Sequence, residues 1–239
     1  MNEVLFLDFD GVLFNTIKEV YLINRFLFSF EDFFARIDED NFYFFKKHKY
    51  LVYNIWMFYY FNPLSFNNDK EIEQKFTQAL LNRDFDKEKV FVESFLKTRY
   101  YLIKNHPDFW RNLEVPYGFF YEIKQIYQKK TANVVIVSKK NKASILERLQ
   151  TYGLDFDPDK VFGYEILDKY LSKGDFLEEY LYKNRIERAV FVDDNLNNIN
   201  SVKNENIKKI LALWGNTGPN EKGCSESEAI YEIRKFFSL

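Results

Sequence analysis

The chain has 239 residues, 46% of them apolar and 29% charged, which is the balance of a folded globular protein and excludes a disordered one. Its 34 basic and 36 acidic side chains leave a formal net charge of -2, so no global basic field recruits nucleic acid. A single cysteine, Cys224, excludes an internal disulfide framework and a thiolate-rich metal site.

The N-terminus, MNEVLFLDFDG, lacks the basic start and the small-residue cleavage site of a secretory signal. The most apolar run, residues 51–61, is about half the roughly 20 residues a bilayer span requires, and it contains Asn54. A cytoplasmic protein with no membrane partner is expected, with that run as a buried helix. The 27 Phe and 17 Tyr concentrate in the first half of the chain, which reads as biased filling of an ordinary core rather than as an aromatic ligand pocket.

Residues 4–8 (VLFLD) form a short apolar run that ends in an acid and then Gly11, the pattern of a buried strand opening into a loop. Asp8 and Asp10 stand two apart, so strand periodicity points both carboxylates the same way. Like charges so placed resist joint ionisation, and either a proton or a cation must lie between them. Gly11 lets the chain turn sharply and brings backbone amides close to an anion. A solvated turn of Asp and Gly after a strand is the plain alternative.

Residues 15–114 lack strand grammar. Phe91, Phe95, Thr98 and Leu102 share one helical face, and Asn62-Pro63 and His106-Pro107 break the helices. Val115-Pro116-Tyr117-Gly118 then marks the return to a strand-bearing region.

Residues 132–138 (ANVVIVS) and 188–194 (RAVFVDD) repeat the strand grammar, each followed by a helical pattern at 142–152 and 195–204. Residues 208–213 supply a fourth strand and Val161-Phe162 begins a fifth. Alternating strands and helices predict a parallel α/β sheet, whose carboxyl rim would gather Asp8, Ser138, Asp193 and Asp194.

Successive strand residues face opposite ways, so one of Asp193 and Asp194 enters the site while its neighbour supports it; the alternative is an Asx turn or N-cap before Asn195. Hard oxygen ligands favour magnesium (Mg2+) over zinc. Ser138 offers a hydroxyl and nearby amides to phosphoryl oxygens, or else caps the following helix. Lys173, in LSKGDFL, is placed to neutralise a phosphate and a nucleophile. His48 and His106 stand in no ligand spacing, and Gly215, Gly218 and Gly223 form no nucleotide fingerprint, only a loop.

Together these clusters resemble the four ordered motifs of the haloacid dehalogenase superfamily. VLFLDFDGVLFNT is similar to its first motif, VVIVSKK to its second, SKGDFL to its third and AVFVDDNLNNI to its fourth. The resemblance implies an α/β fold, a Rossmann-like parallel sheet core with helices on both faces, spanning 1–14 and 115–239, plus an all-helical cap at 15–114.

It further implies Asp8 as nucleophile, Asp10 as acid/base, and Ser138 and Lys173 as catalytic partners. Gly11, Ser138, Lys139 and Lys173 would bind phosphate, and Asp8, Asp10, Asp193 and Asp194 would bind metal. Asn198 stands where many members carry a further acid, and Asn15 replaces a frequent Asp. The activity so implied is phosphate-monoester hydrolysis through an aspartyl phosphate, acting on a small phosphorylated metabolite or nucleotide. A phosphomutase, a non-catalytic binding protein of the same fold and a nucleic-acid-end phosphatase are the alternatives. Arg25, Arg83, Arg99 and the aromatics of the helical segment are candidates for substrate selection.

Overall fold

A computed structural model describes residues 2–61 and 71–239. The chain divides into two compact units, Met1–Asn15 with Val115–Leu239, and Thr16–Glu114. The break expected at Asn62-Pro63 lies outside the described residues.

The first unit carries strands β1 (Glu3–Leu7), β2 (Phe14–Asn15), β3 (Val115–Pro116), β4 (Val134–Val137), β5 (Val161–Phe162), β6 (Arg188–Asp193) and β7 (Ile207–Leu211). Five of them form one parallel sheet in the order β5-β4-β1-β6-β7. The other two, β2 and β3, make a separate antiparallel pair, with Asn15 opposite Val115.

The second unit is helical among its described residues: α1 (Ile17–Ser29), α2 (Glu39–His48), α3 (Ile72–Leu81), α4 (Phe85–Asn105) and α5 (Pro107–Arg111), with short 3-10 turns at Lys49–Leu51 and Ile55–Tyr59. Asp84 caps α4 by accepting from the Lys87 amide, and Pro107 starts α5, where its missing N–H costs nothing. The aromatic bias fills this unit's core, where Phe45, Phe58, Phe61, Phe91, Phe95 and Trp110 are all buried.

Residues 51–61 do not form the single buried helix expected. Asn54 is extended, with φ -135 and ψ 150, and the run breaks into two short turns that bury Met57, Phe58 and Phe61. On α4 the apolar stripe holds at Phe91, Phe95 and Leu102, but Arg99 is buried on it too.

In the first unit, helices α6 (Gly118–Gln128), α7 (Lys142–Thr151), α8 (Tyr164–Leu167), α9 (Lys173–Asn184), α10 (Leu196–Ser201) and α11 (Glu226–Phe237) surround the sheet. Strand alternation divides the apolar residues between two faces. Leu5, Leu7, Ile136 and Val192 pack with residues of α6, α7 and α11, while Val4, Phe6, Val135 and Phe191 pack with residues of α9 and α10. Both faces are covered, which is why these strands read as unbroken apolar runs. Each fully buried side chain of this kind stabilises the fold by about 1.5–3 kcal/mol.

All five parallel strands end at one rim. The order of connection reverses at β1, with β4 and β5 on one side and β6 and β7 on the other, and it is beyond the carboxyl ends of the strands at such a switch point that sheets of this kind bind ligands. Asp8 follows β1 there, Ser138 follows β4, and Asp193 ends β6.

Candidate active site

Asp8, Asp193 and Asp194 are all buried, and their ligand atoms lie within 4.8 Å of one another. Lys173, the first residue of α9, is buried between two of them, its Nζ 2.8 Å from Asp8 Oδ2 and 2.7 Å from Asp193 Oδ2. Ser172 fixes this start of α9 by accepting from the Asp175 amide, so the lysine enters from a capped helix end.

The electrostatics follow from burial. Loss of solvent, only partly offset by Lys173, pushes Asp8 up to about 7, and the same cause raises Asp193. Burial alone would lower Lys173, but the pull of Asp193 and Asp8 outweighs it and holds the ammonium above the ordinary lysine range. Tyr117 is raised by burial and then by the field of Asp194, Glu226 and Asp10. Three carboxylates thus crowd around one buried ammonium, an arrangement that attracts positive charge.

Asp193 is heavily bonded by protein donors. Its Oδ1 accepts from the Asn195 amide at 2.8 Å and from Asn198 Nδ2 at 3.0 Å, while Oδ2 accepts from Lys173 and from Asn198 Nδ2 at 3.1 Å. The local Asx turn and the charged role therefore coexist at one residue. Asn198, where an acid was a reference point for the fourth motif, donates to Asp193 as an acid would not.

Asp8 Oδ1 accepts from the Phe9 amide at 2.7 Å. Asp10 lies outside the three-carboxylate cluster and its side chain is partly exposed, 3.4 Å from the Nζ of Lys140. Ser138 is buried and does not cap α7, whose N-cap is Asn141; its Oγ accepts from the Lys140 amide at 3.3 Å.

Two expectations need correction. Lys139, expected to bind phosphate, pairs with the exposed Asp168 at 3.2 Å. The inward lysine is Lys140, fully buried beside Asp10 with its ammonium 5.8 Å from the Phe9 ring centre. The doubled lysine in VVIVSKK was the available signal, but it does not say which of the two turns inward.

Gly11 also acts differently. Its amide donates to the Phe14 carbonyl at 2.8 Å rather than standing open to an anion. Its φ is +80, and a Cβ there would lie 1.8 Å from Asp194 Oδ2, so glycine is required for the close approach of that carboxylate.

The three arginines suggested for substrate selection are engaged within the helical unit. Arg25 donates to the carbonyls of Asp32, Ala35 and Arg36. Arg83 pairs with Glu88 and stacks 3.7 Å from the Trp56 ring centre, and Arg99 forms a two-pronged bond with Glu19. His48 bonds the Phe44 carbonyl through Nδ1 at 2.9 Å.

A parallel sheet in this strand order, with acids at the ends of β1 and β6 and a lysine between them, defines the class: the chain has the haloacid dehalogenase-like fold. Solved structures match it over nearly its whole length. A haloacid dehalogenase-like family hydrolase from Streptococcus pneumoniae is 11% identical, with 96% of this chain and 97% of that one covered and a TM-score of 0.59. A predicted phosphatase from Clostridium acetobutylicum is 14% identical, with 98% and 99% covered and a TM-score of 0.64. Protein Tyrosine Kinase A from Mycobacterium tuberculosis is 13% identical, with 99% and 98% covered and a TM-score of 0.58.

No protein-family model matches the chain, and no curated protein matches it. At such identities the likeness establishes the fold, and activity has to be argued from the site. Among the described residues, no helix is long and apolar enough to cross a membrane.

Proposed function

We propose that the chain is a magnesium-dependent phosphohydrolase that cleaves a phosphate monoester of a small metabolite or nucleotide through an aspartyl phosphate on Asp8. The observation that carries this reading is the buried cluster of Asp8, Asp193 and Asp194 in which Lys173 bridges two of the acids.

That donor set fits a hard divalent cation, since every ligand is oxygen and the charge deficit is of the right sign. Asp8, Asp194 and the Asp10 main-chain carbonyl would hold it, while Asp193 is spent on Lys173, Asn195 and Asn198. When bound, the cation neutralises charge on the phosphoryl oxygens and the nucleophile.

The protein's own groups account for the remaining steps. An Asp8 carboxylate oxygen attacks phosphorus in line, the bond to the leaving oxygen breaks, and Asp10 gives that oxygen a proton. Asp10, now a carboxylate, takes a proton from water as the water oxygen attacks the phosphorus, and the bond to Asp8 breaks to release phosphate. Lys173 keeps Asp8 oriented, Ser138 offers a hydroxyl to a phosphoryl oxygen, and Lys140 holds the carboxyl of Asp10.

The test is phosphate release from a panel of sugar phosphates, nucleotides and an aryl phosphate, with magnesium and with chelator. Magnesium-dependent release supports the reading. Transfer of the phosphoryl group to a sugar, with no free phosphate, points instead to a mutase, and release unaffected by chelator sinks the metal assignment.

A further inference from the structure

The loop after β7, Trp214-Gly215-Asn216, belongs to none of the motifs, yet it wraps the Asp194 carboxylate. Asn216 donates twice to one oxygen, Asp194 Oδ2, from its main-chain N at 2.7 Å and from its side-chain Nδ2 at 2.8 Å. Two donors on one oxygen fix the rotation of the carboxylate, because turning it would break both bonds together.

The surrounding chain is built for this contact. A Cβ on Gly215 would lie 2.4 Å from Asp194 Cβ and 2.3 Å from the Gly11 carbonyl, and a Cβ on Gly11 would lie 1.8 Å from Asp194 Oδ2. Trp214 ties the loop to the first motif by donating from Nε1 to the Val12 carbonyl at 3.0 Å, and Gly215 bonds back to Ala212 at 3.2 Å. Two glycines and a tethered tryptophan thus leave room for one carboxylate and one amide.

We infer that Asn216 is a positioning residue for the divalent cation: it holds Asp194 in the orientation that presents it to the metal, and it touches neither substrate nor reacting atoms. The inference rests on the metal reading given above. Partners of this kind tune metal affinity, and their loss weakens it by about 10- to 100-fold.

The experiment is Mn2+ binding, followed by the electron-spin signal of free Mn2+, for the full chain, Asn216→Ala, Asp194→Asn and the double variant. Asn216→Ala is expected to bind about tenfold more weakly. It should regain wild-type turnover at saturating metal, with KM for the phosphate ester unchanged. In the Asp194→Asn background the same change should have no further effect, as two residues acting through one contact require. Wild-type affinity in Asn216→Ala, or full additivity in the double variant, overturns the inference. No Mn2+ binding by the wild-type chain overturns the metal reading first and separately.

A measurement on the unaltered protein guards against a misfolded variant. The Asn216 side-chain amide resonances should shift when magnesium is added, and resonances indifferent to the cation contradict the role.

Discussion

The two units of this chain treat buried charge in opposite ways. In the helical unit, buried Arg99 and Arg25 are both engaged by groups of the same unit. Arg99 meets Glu19 at 2.6 and 3.0 Å, Trp110 adds a longer bond to the same carboxylate, and Arg25 is spread over three main-chain carbonyls. At the rim of the α/β unit, Lys173 meets two acids while a third stands within 4.8 Å. Paired buried charge ties elements together, whereas carboxylates crowded together out of solvent cost stability, a cost that a bound cation offsets. The contrast separates residues that hold a fold from residues proposed to do chemistry, and it was invisible while each was only a charged letter.

Four outcomes put this difference to the test. The largest is Asp8→Asn, expected to reduce magnesium-dependent turnover by roughly 10^3-fold or more with the fold intact by circular dichroism, since the proposed nucleophile is lost. In the helical unit, Arg99→Met leaves Glu19 buried without its ion-pair partner and should cost about 3–5 kcal/mol in urea unfolding. A loss below about 1 kcal/mol would mean that this pair is no more than a surface contact in effect.

The third outcome concerns pH in the presence of chelator. Asp8 is raised in the folded state to about 7 from the ordinary 3.8, so the folded chain binds its proton more tightly than the unfolded chain does. That contribution is complete below pH 4 and is lost as pH climbs through 7, so metal-free stability should fall across this window. Asp8→Asn should unfold at a higher temperature than wild type at pH 8, with the gap closing toward pH 4. An unchanged gap across that range would show that burial of this acid is relieved by some other means.

The smallest effect is expected at Lys140. Lys140→Met should lower turnover of an alkyl phosphate about tenfold more than that of an activated aryl phosphate, whose leaving oxygen needs no proton. Equal losses on both substrates would detach Lys140 from Asp10.

Much of the α/β unit was legible because β1, β4 and β6 are buried on both faces and so spell unbroken runs ending in polar residues. The runs VLFLD, VVIV and RAVFVD have few other readings, and parallel order then brings their ends to one rim. What stayed hidden depends on side-chain direction or on distant chain. Lys139 and Lys140 differ in nothing but which way the backbone turns after β4. Asn216 sits in a loop whose glycines read only as loop-forming until Asp194 is seen against them. Arg99 lies on an apolar stripe that periodicity would have filled with a hydrophobe, and residues 51–61 are apolar enough for a helix but break at an extended Asn54.

The most direct test of the central claim is chemical trapping. The chain is incubated with magnesium and an activated aryl phosphate, quenched, reduced with borohydride and mapped by mass spectrometry. The account predicts conversion of Asp8 to homoserine, dependent on both magnesium and substrate and confined to that position. Phosphate release without any such conversion, or conversion at another carboxylate, would contradict it.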